Sequence, residues 1–322
     1  MRLFVTGGAG FIGSNYVRHV LAHHDDAVTV FDALTYAGNL DNLRGLDDDP
    51  RFAFVKGDIT DRDAVSRAMD GHDVVVHFAA ESHVDRSIVS PDEFVHTNCD
   101  GTNVMCDVAR RVGVERFLHI STDEVYGSID EGSFTEGDPL SPRSPYSASK
   151  AGSDLIALSY HSTYGLPVVV TRSSNNFGPY QFPEKVIPLF VTNLLDGLRV
   201  PLYGDGLNVR DWCYVEDNCA AVDLVLRAGV TGEVYNIGAG NEVPNRRLTD
   251  TILEILGHDE SMIAYVEDRL GHDRRYSIDC AKVRALGWAP AREFHEALEA
   301  TVRWYRDHRW WWEPLKQRPA PA

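Results

Sequence analysis

The stretch Leu3-Phe4-Val5-Thr6-Gly7-Gly8-Ala9-Gly10-Phe11-Ile12-Gly13 decides the fold. A short apolar strand runs straight into glycines, and a helical pattern follows. Gly8, Gly10 and Gly13 satisfy G-x-G-x-x-G, a match that carries weight only with a strand before it and a helix after it, as here. The glycines permit a tight turn and let the backbone approach a pyrophosphate, whose charge sits on the helix N-terminus. Asp32 ends the second apolar run, 19 residues after Gly13, where a carboxylate accepts hydrogen bonds from a ribose diol. A 2'-phosphate would be repelled there, and Ala33-Leu34-Thr35 offers no arginine, so NAD is expected rather than NADP.

Outward from this turn, short apolar runs alternate with amphipathic stretches, the βαβ signature of a parallel sheet. Strands are predicted at 3–6, 28–31, 52–56, 74–78, 117–121 and 167–171, with helices beginning near Phe11, Asp61, Pro91 and Pro145. The longest helices are expected at 92–111 and 146–164. The expected fold is a Rossmann-type α/β domain with a doubly wound parallel sheet over 1–172, and a smaller, partly interleaved α/β substrate domain over 173–322. Residues 173–185, rich in Asn, Gly and Pro, read as a loop. Shorter elements follow: helices at 187–197, 216–228, 247–256 and 294–308, and strands near Leu202 and at 233–237. Trp310-Trp311-Trp312 reads as packing or an interface.

Composition narrows the function. The formal net charge of -17 argues against nucleic acid as a partner and requires local cations to hold any phosphate-bearing substrate. No apolar run approaches a membrane span and glycines come too early for a signal peptide, so a cytoplasmic location is expected. The five cysteines show no C-x-x-C spacing and read as reduced thiols; no metal is expected.

Two motifs carry chemistry. Tyr146-Ser147-Ala148-Ser149-Lys150 is Y-x-x-x-K behind a proline that can open a helix. Residues i and i+4 share a helix face, so Lys150 is expected to lower the Tyr146 pKa and make it a general base for a substrate hydroxyl. Ser121-Thr122-Asp123-Glu124-Val125-Tyr126-Gly127 closes the fifth predicted strand. Ligands of parallel sheets sit beyond the carboxyl ends of strands, and adjacent carboxylates there can divide acid and base work. Asp58, after the third strand, can accept from an adenine amino group, and Ala79 and Ala80 let a cofactor pass close.

These motifs make the chain resemble the nucleotide-sugar 4,6-dehydratases among the extended short-chain dehydrogenases/reductases. The carriers are TGGAGFIGS, LTYAGNL, AAESHVDRS, STDEVYG, YSASK, RSSNNFGPYQFPEKVIP, RDWCYVED, YNIG and DRLGHDRRYSID. The resemblance implies a dTDP-glucose 4,6-dehydratase reaction: oxidation at C4, loss of water across C5–C6, and return of hydride to C6. It implies that Tyr146 takes the 4-hydroxyl proton with help from Thr122 and Lys150. Glu124 then takes the C5 proton and Asp123 protonates the departing 6-hydroxyl. By the same resemblance NAD is contacted by Gly7, Gly10, Phe11, Ile12, Gly13, Asp32, Leu34, Thr35, Asp58, Ile59, Ala79, Ala80, Ser82, Thr97, Tyr146, Lys150 and Asn176. The substrate falls to Ser82, Thr122, Asp123, Glu124, Asn175 and Asn245, with Lys185, Arg210, His272 and Arg274 supplying the cations. A homodimer through the two long helices is also implied. Two alternatives stay open: a nucleotide-sugar 4-epimerase, which has no need of Asp123 and Glu124, and a non-catalytic NAD-sensing regulator. Thymine and uracil nucleotides are not distinguished.

Overall fold

The computed structural model describes residues 1–268 and 272–316. In chain order its elements are β1 (Arg2–Thr6), α1 (Phe11–His23), β2 (Ala27–Asp32), β3 (Phe52–Lys56), α2 (Arg62–Met69), β4 (Val74–His77), α3 (Val84–Val89), α4 (Pro91–Val95), α5 (Thr102–Val112), β5 (Arg116–Thr122), α6 (Pro145–Tyr164), β6 (Val168–Ser173) and β7 (Asn175–Phe177). There follow α7 (Val186–Leu195), β8 (Val200–Tyr203), β9 (Val209–Tyr214), α8 (Val215–Ala228), β10 (Val234–Ile237), β11 (Glu242–Pro244), α9 (Asn245–Leu256), β12 (Ile263–Val266), α10 (Ala281–Ala285), α11 (Phe294–Asp307) and α12 (Arg309–Lys316).

Seven parallel strands form one sheet in the order β10-β6-β5-β4-β1-β2-β3. The order reverses between β1 and β4, so their carboxyl ends open the crevice where such sheets bind ligands. Apolar clusters cover both faces, with α1 and α8 on one side and α2, α5 and α6 on the other. Interleaving is direct: β10 lies far along the chain yet pairs with β6. A separate core of Phe177, Phe190, Trp212, Leu248, Leu298 and Trp312 sits between α7, α9, α11, α12 and the small sheet β11-β9-β7.

Several readings of the sequence need correction. The expected single helix at 92–111 is α4, a wider π-type turn over His96–Gly101, and α5. Within that turn Asn98 bonds both the backbone of Glu81 and the Ser149 hydroxyl, fastening the helix beside the cleft. The loop expected at 173–185 contains β7, whose register partner is the equally polar β9. Elements α3, β9, β11, β12, α10 and α12 carried no sequence expectation. Trp311 and Trp312 of α12 are buried, their indoles donating to Asn42 Oδ1 and Tyr305 O. Residues 269–271 of the DRLGHDRRYSID stretch and the last six positions lie outside the described residues.

Candidate active site

The glycine turn is shaped by close backbone approach. Gly7 has φ +68°, and a Cβ there would lie 2.6 Å from Ala79 N. A Cβ on Gly13 would lie 2.3 Å from Gly7 O. Only hydrogen fits at either place, which leaves the N-terminus of α1 bare towards a cleft. The cleft is lined by Gly7, Gly10, Phe11, Ile12, Gly13, Asp32, Thr35, Asp58, Ile59, Ala79, Ala80, Ser82, Thr97, Tyr146, Lys150 and Lys185. The residues expected to touch NAD are thus gathered in one cavity, with two exceptions. Leu34 does not line it: held at φ 56°, it gives its N–H to Asp32 Oδ1 at 2.8 Å. Asn176 does not line it either; it is buried with its Oδ1 lacking a protein partner.

Asp32 also holds the glycine turn. Its Oδ2 accepts from Ala9 N at 2.9 Å, so the same carboxylate fastens the glycine turn. Burial pushes its pKa up and the two backbone N–H groups pull it down. Asp32→Arg is therefore expected to weaken NAD retention by about tenfold to a hundredfold, the loss of one or two hydrogen bonds to a charged group. Some NADP binding should appear with it. Titration of cofactor-stripped protein reads both, and an unchanged NAD affinity would remove Asp32 from the site.

Beside the cleft, β5 ends in Thr122, whose Oγ1 accepts from Glu124 N at 3.2 Å and caps a 3-10 turn over Asp123–Tyr126. Capping thus falls to Thr122 and not to the two carboxylates. Asp123 is buried, and its Oδ2 has no hydrogen-bond partner among the described residues. Burial first, then the charges of Glu124 and Asp211, push its pKa well up, against the pull of Arg210. These effects favour the protonated form of Asp123.

Helix α6 brings Tyr146 to the same place. Its N-terminus is fixed by a Ser144/Ser147 capping box with Pro145 in the first turn. A buried network anchors the helix to the sheet: Asp154 accepts from Arg172 Nε at 2.9 Å, and Arg172 Nη1 donates to Tyr126 OH at 2.8 Å. The expected effect of Lys150 on Tyr146 is not found. Burial, then the Glu124 charge, push the Tyr146 phenol up, and the Thr122 hydroxyl works the other way. The Lys150 ammonium donates to Ile120 O at 2.7 Å, and burial lowers its pKa to about 8.

The substrate-half residues form a second group around β9. Arg210 is buried, donates to Asp273 O at 2.9 Å and stacks on the Tyr276 ring at 4.1 Å. Asn245 opens α9 beside Asn208, and its buried Oδ1 lacks a protein partner, as does that of Asn175 on β7. His272 and Arg274 do not stand as unpaired cations: His272 Nδ1 lies 2.6 Å from Asp268 Oδ1, and Arg274 Nη1 lies 2.9 Å from Asp205 Oδ1. Lys185 reaches the cleft and donates to Ser82 O at 3.0 Å. Tyr36, Glu81, Gln181, Phe182 and Glu184 also line the cleft and had no sequence assignment. Their signal was available, since they lie in LTYAGNL, AAESHVDRS and the stretch before Lys185. One spacing also passed unread against the expectation of no metal: His19 and His23 stand four apart on α1.

A family model described as GDP-mannose 4,6 dehydratase matches residues 4–301. The chain is 59% identical to the dTDP-glucose 4,6-dehydratase of Streptomyces antibioticus, over 99% of this chain and 97% of that protein. Among solved structures it is similar to DesIV, the dTDP-glucose 4,6-dehydratase of Streptomyces venezuelae crystallised with NAD and dTDP bound. That match has a TM-score of 0.96 and 57% identity, covering 98% of this chain and 100% of that one. The UDP-glucose 4-epimerase of Thermus thermophilus, in complex with NAD, matches at TM-score 0.88 and 33% identity, covering 96% and 100%.

Proposed function

We propose that this chain, which belongs to the family of dTDP-glucose 4,6-dehydratases, converts dTDP-glucose to dTDP-4-keto-6-deoxyglucose with NAD. The observation that carries the reading is Asp123: a buried carboxyl beside Glu124 whose protonated form is favoured, with an oxygen that has no hydrogen-bond partner among the described residues. A 4-epimerase needs no such pair, and this chain is far nearer the dehydratase than the epimerase in identity. The NAD-sensing alternative has no observation in its favour, because the Tyr146, Lys150 and carboxylate set is intact.

The cleft fits NAD. Its glycines leave no room for a Cβ, the α1 N-terminus faces the pyrophosphate position, and Asp32 stands where an adenosine ribose would be read. When bound, the cofactor supplies the hydride acceptor and donor and a positive charge that favours the Tyr146 phenolate. Tyr146 takes the proton of the sugar 4-hydroxyl, and the Thr122 hydroxyl orients that oxygen. The 4-ketone acidifies the C5 proton, which Glu124 removes. Asp123 gives its proton to the departing 6-hydroxyl, a role that suits a carboxyl whose protonated form is favoured. Lys185 and Arg210, with His272 and Arg274, form the cationic side for the diphosphate, the latter two by exchanging their carboxylate partners for it. Asn175 and Asn245 offer their unused Oδ1 atoms to ligand donors.

The reading includes a division near residues 172/173, a cytoplasmic location and a homodimer through α5 and α6. For the dimer, Leu155 and Tyr164 of α6 and Val95 of α4 leave large apolar surfaces exposed, which a partner copy would cover. Among the described residues no helix is long and apolar enough to cross a membrane.

A cycle that restores its own cofactor gains nothing by releasing it. Purified protein is therefore expected to carry NAD or NADH without any added, and mass spectrometry after denaturation reads this directly. Protein free of both, active and indifferent to added NAD, contradicts the reading.

A further inference from the structure

We infer that the far end of α1 carries a transition-metal site, formed by His19, His24 and Asp223, that joins α1 to α8. One nitrogen of each histidine and one oxygen of Asp223 all lie within 4.8 Å of one another. Two imidazoles and a carboxylate are the donor set that suits Zn2+, with a fourth position left for water. Zn–N and Zn–O bonds of about 2.0–2.2 Å set tetrahedral ligand atoms roughly 3.4 Å apart, so His19 must draw in while the 2.8 Å His24–Asp223 contact opens. Room for that movement exists, because both histidines are only half-buried at the surface.

His24 Nε2 lies 2.8 Å from Asp223 Oδ2 and donates to it. Metal binding moves that proton to Nδ1 and puts the ion in the place of the hydrogen bond. His23 stacks on His19 at 4.5 Å between ring centroids, holding its plane, while its Nδ1 faces His19 O.

The other charges facing Asp223 do not close the site. Arg227 Nε donates to Asp223 Oδ2 at 2.8 Å, but its Nη2 also donates to Asp26 Oδ2 at 2.7 Å. Arg227 can keep Asp26 while the ion takes its share of Asp223. Asp26 is further paired with the N-terminal ammonium, and Tyr16 OH makes only a long 3.4 Å contact with Asp223 Oδ1. The site lies at the C-terminal end of α1, away from the glycine turn at its start. It acts as a clamp between the two helices and takes no part in the reaction.

The test uses the full chain without a histidine tag, stripped with EDTA and titrated with Zn2+ alone. One equivalent per chain is expected, with a rise in Tm and unchanged NAD content. His19→Ala and His24→Ala should each weaken this binding by about tenfold or more, as removal of a ligand does. His295→Ala, which touches another histidine–carboxylate pair, should leave it intact. If His24→Ala does not fold, His19→Ala alone decides. No stoichiometric binding, or binding that His19→Ala leaves unchanged, overturns the proposal.

Discussion

Asp123→Asn and Glu124→Gln are expected to lower turnover of dTDP-glucose by about 10²–10⁴-fold each, the usual contribution of a general acid or base. Both should still form enzyme-bound NADH when substrate is added. The reason is division of labour. Hydride leaves C4 when a base sits on the 4-hydroxyl, the role proposed for Tyr146 on α6. Loss of the 6-hydroxyl needs a proton at that oxygen and a base at C5, the roles proposed for Asp123 and Glu124 at the end of β5. Burial and the Glu124 charge favour the protonated form of Asp123, and Thr122 has already satisfied the turn that the carboxylates could otherwise cap. Rapid mixing with absorbance near 340 nm separates the two half-reactions; turnover at the wild-type rate in both variants would clear these residues of any role.

The converse pattern is expected of Tyr146→Phe. It should abolish NADH formation itself, with a loss of about 10²–10⁴-fold or more, because the base proposed for the 4-hydroxyl proton is gone. The direction of the Tyr146 shift adds a pH signature. Glu124, an anion, holds the phenol up. Removing that charge in Glu124→Gln stabilises the phenolate, so its pKa falls. The acid limb of single-turnover NADH formation should move to lower pH in that variant. A limb that stays where it is would mean that the two groups do not sense one another.

How much of this could be read from sequence differs between the halves of the chain. In the first half, parallel strands buried on both faces are continuous apolar runs, and the glycine turn between β1 and α1 is written in residue types that nothing else explains. There the strands and helices α1, α2 and α6 were legible, but α3 and the π-type break in the 92–111 helix were not. The second half hides its strands: β7 and β11 are three residues each, and β9, Val-Arg-Asp-Trp-Cys-Tyr, puts charges in a buried strand, where Arg210 donates to Asp273 O and Asp211 accepts from Asn241 N. Helix α12 has Pro314 inside it and tryptophans at consecutive positions, so its pattern points nowhere until Asn42 and Tyr305 supply partners for the indoles. Pairing across the fold is equally invisible in sequence. That Arg274 meets Asp205, or that Lys150 turns to Ile120 O and leaves the Tyr146 phenol raised, depends on groups remote in the chain.

The central claim is the reaction, and one assay addresses it most directly. Purified protein is incubated in parallel with dTDP-glucose and with UDP-glucose, and the products are identified by mass and by nuclear magnetic resonance. dTDP-glucose is expected to lose water and give the 4-keto-6-deoxy sugar, with a deuterium at C4 carried to C6, and to be preferred over UDP-glucose. A product of unchanged mass inverted at C4, from either substrate, would make the chain an epimerase and contradict the account.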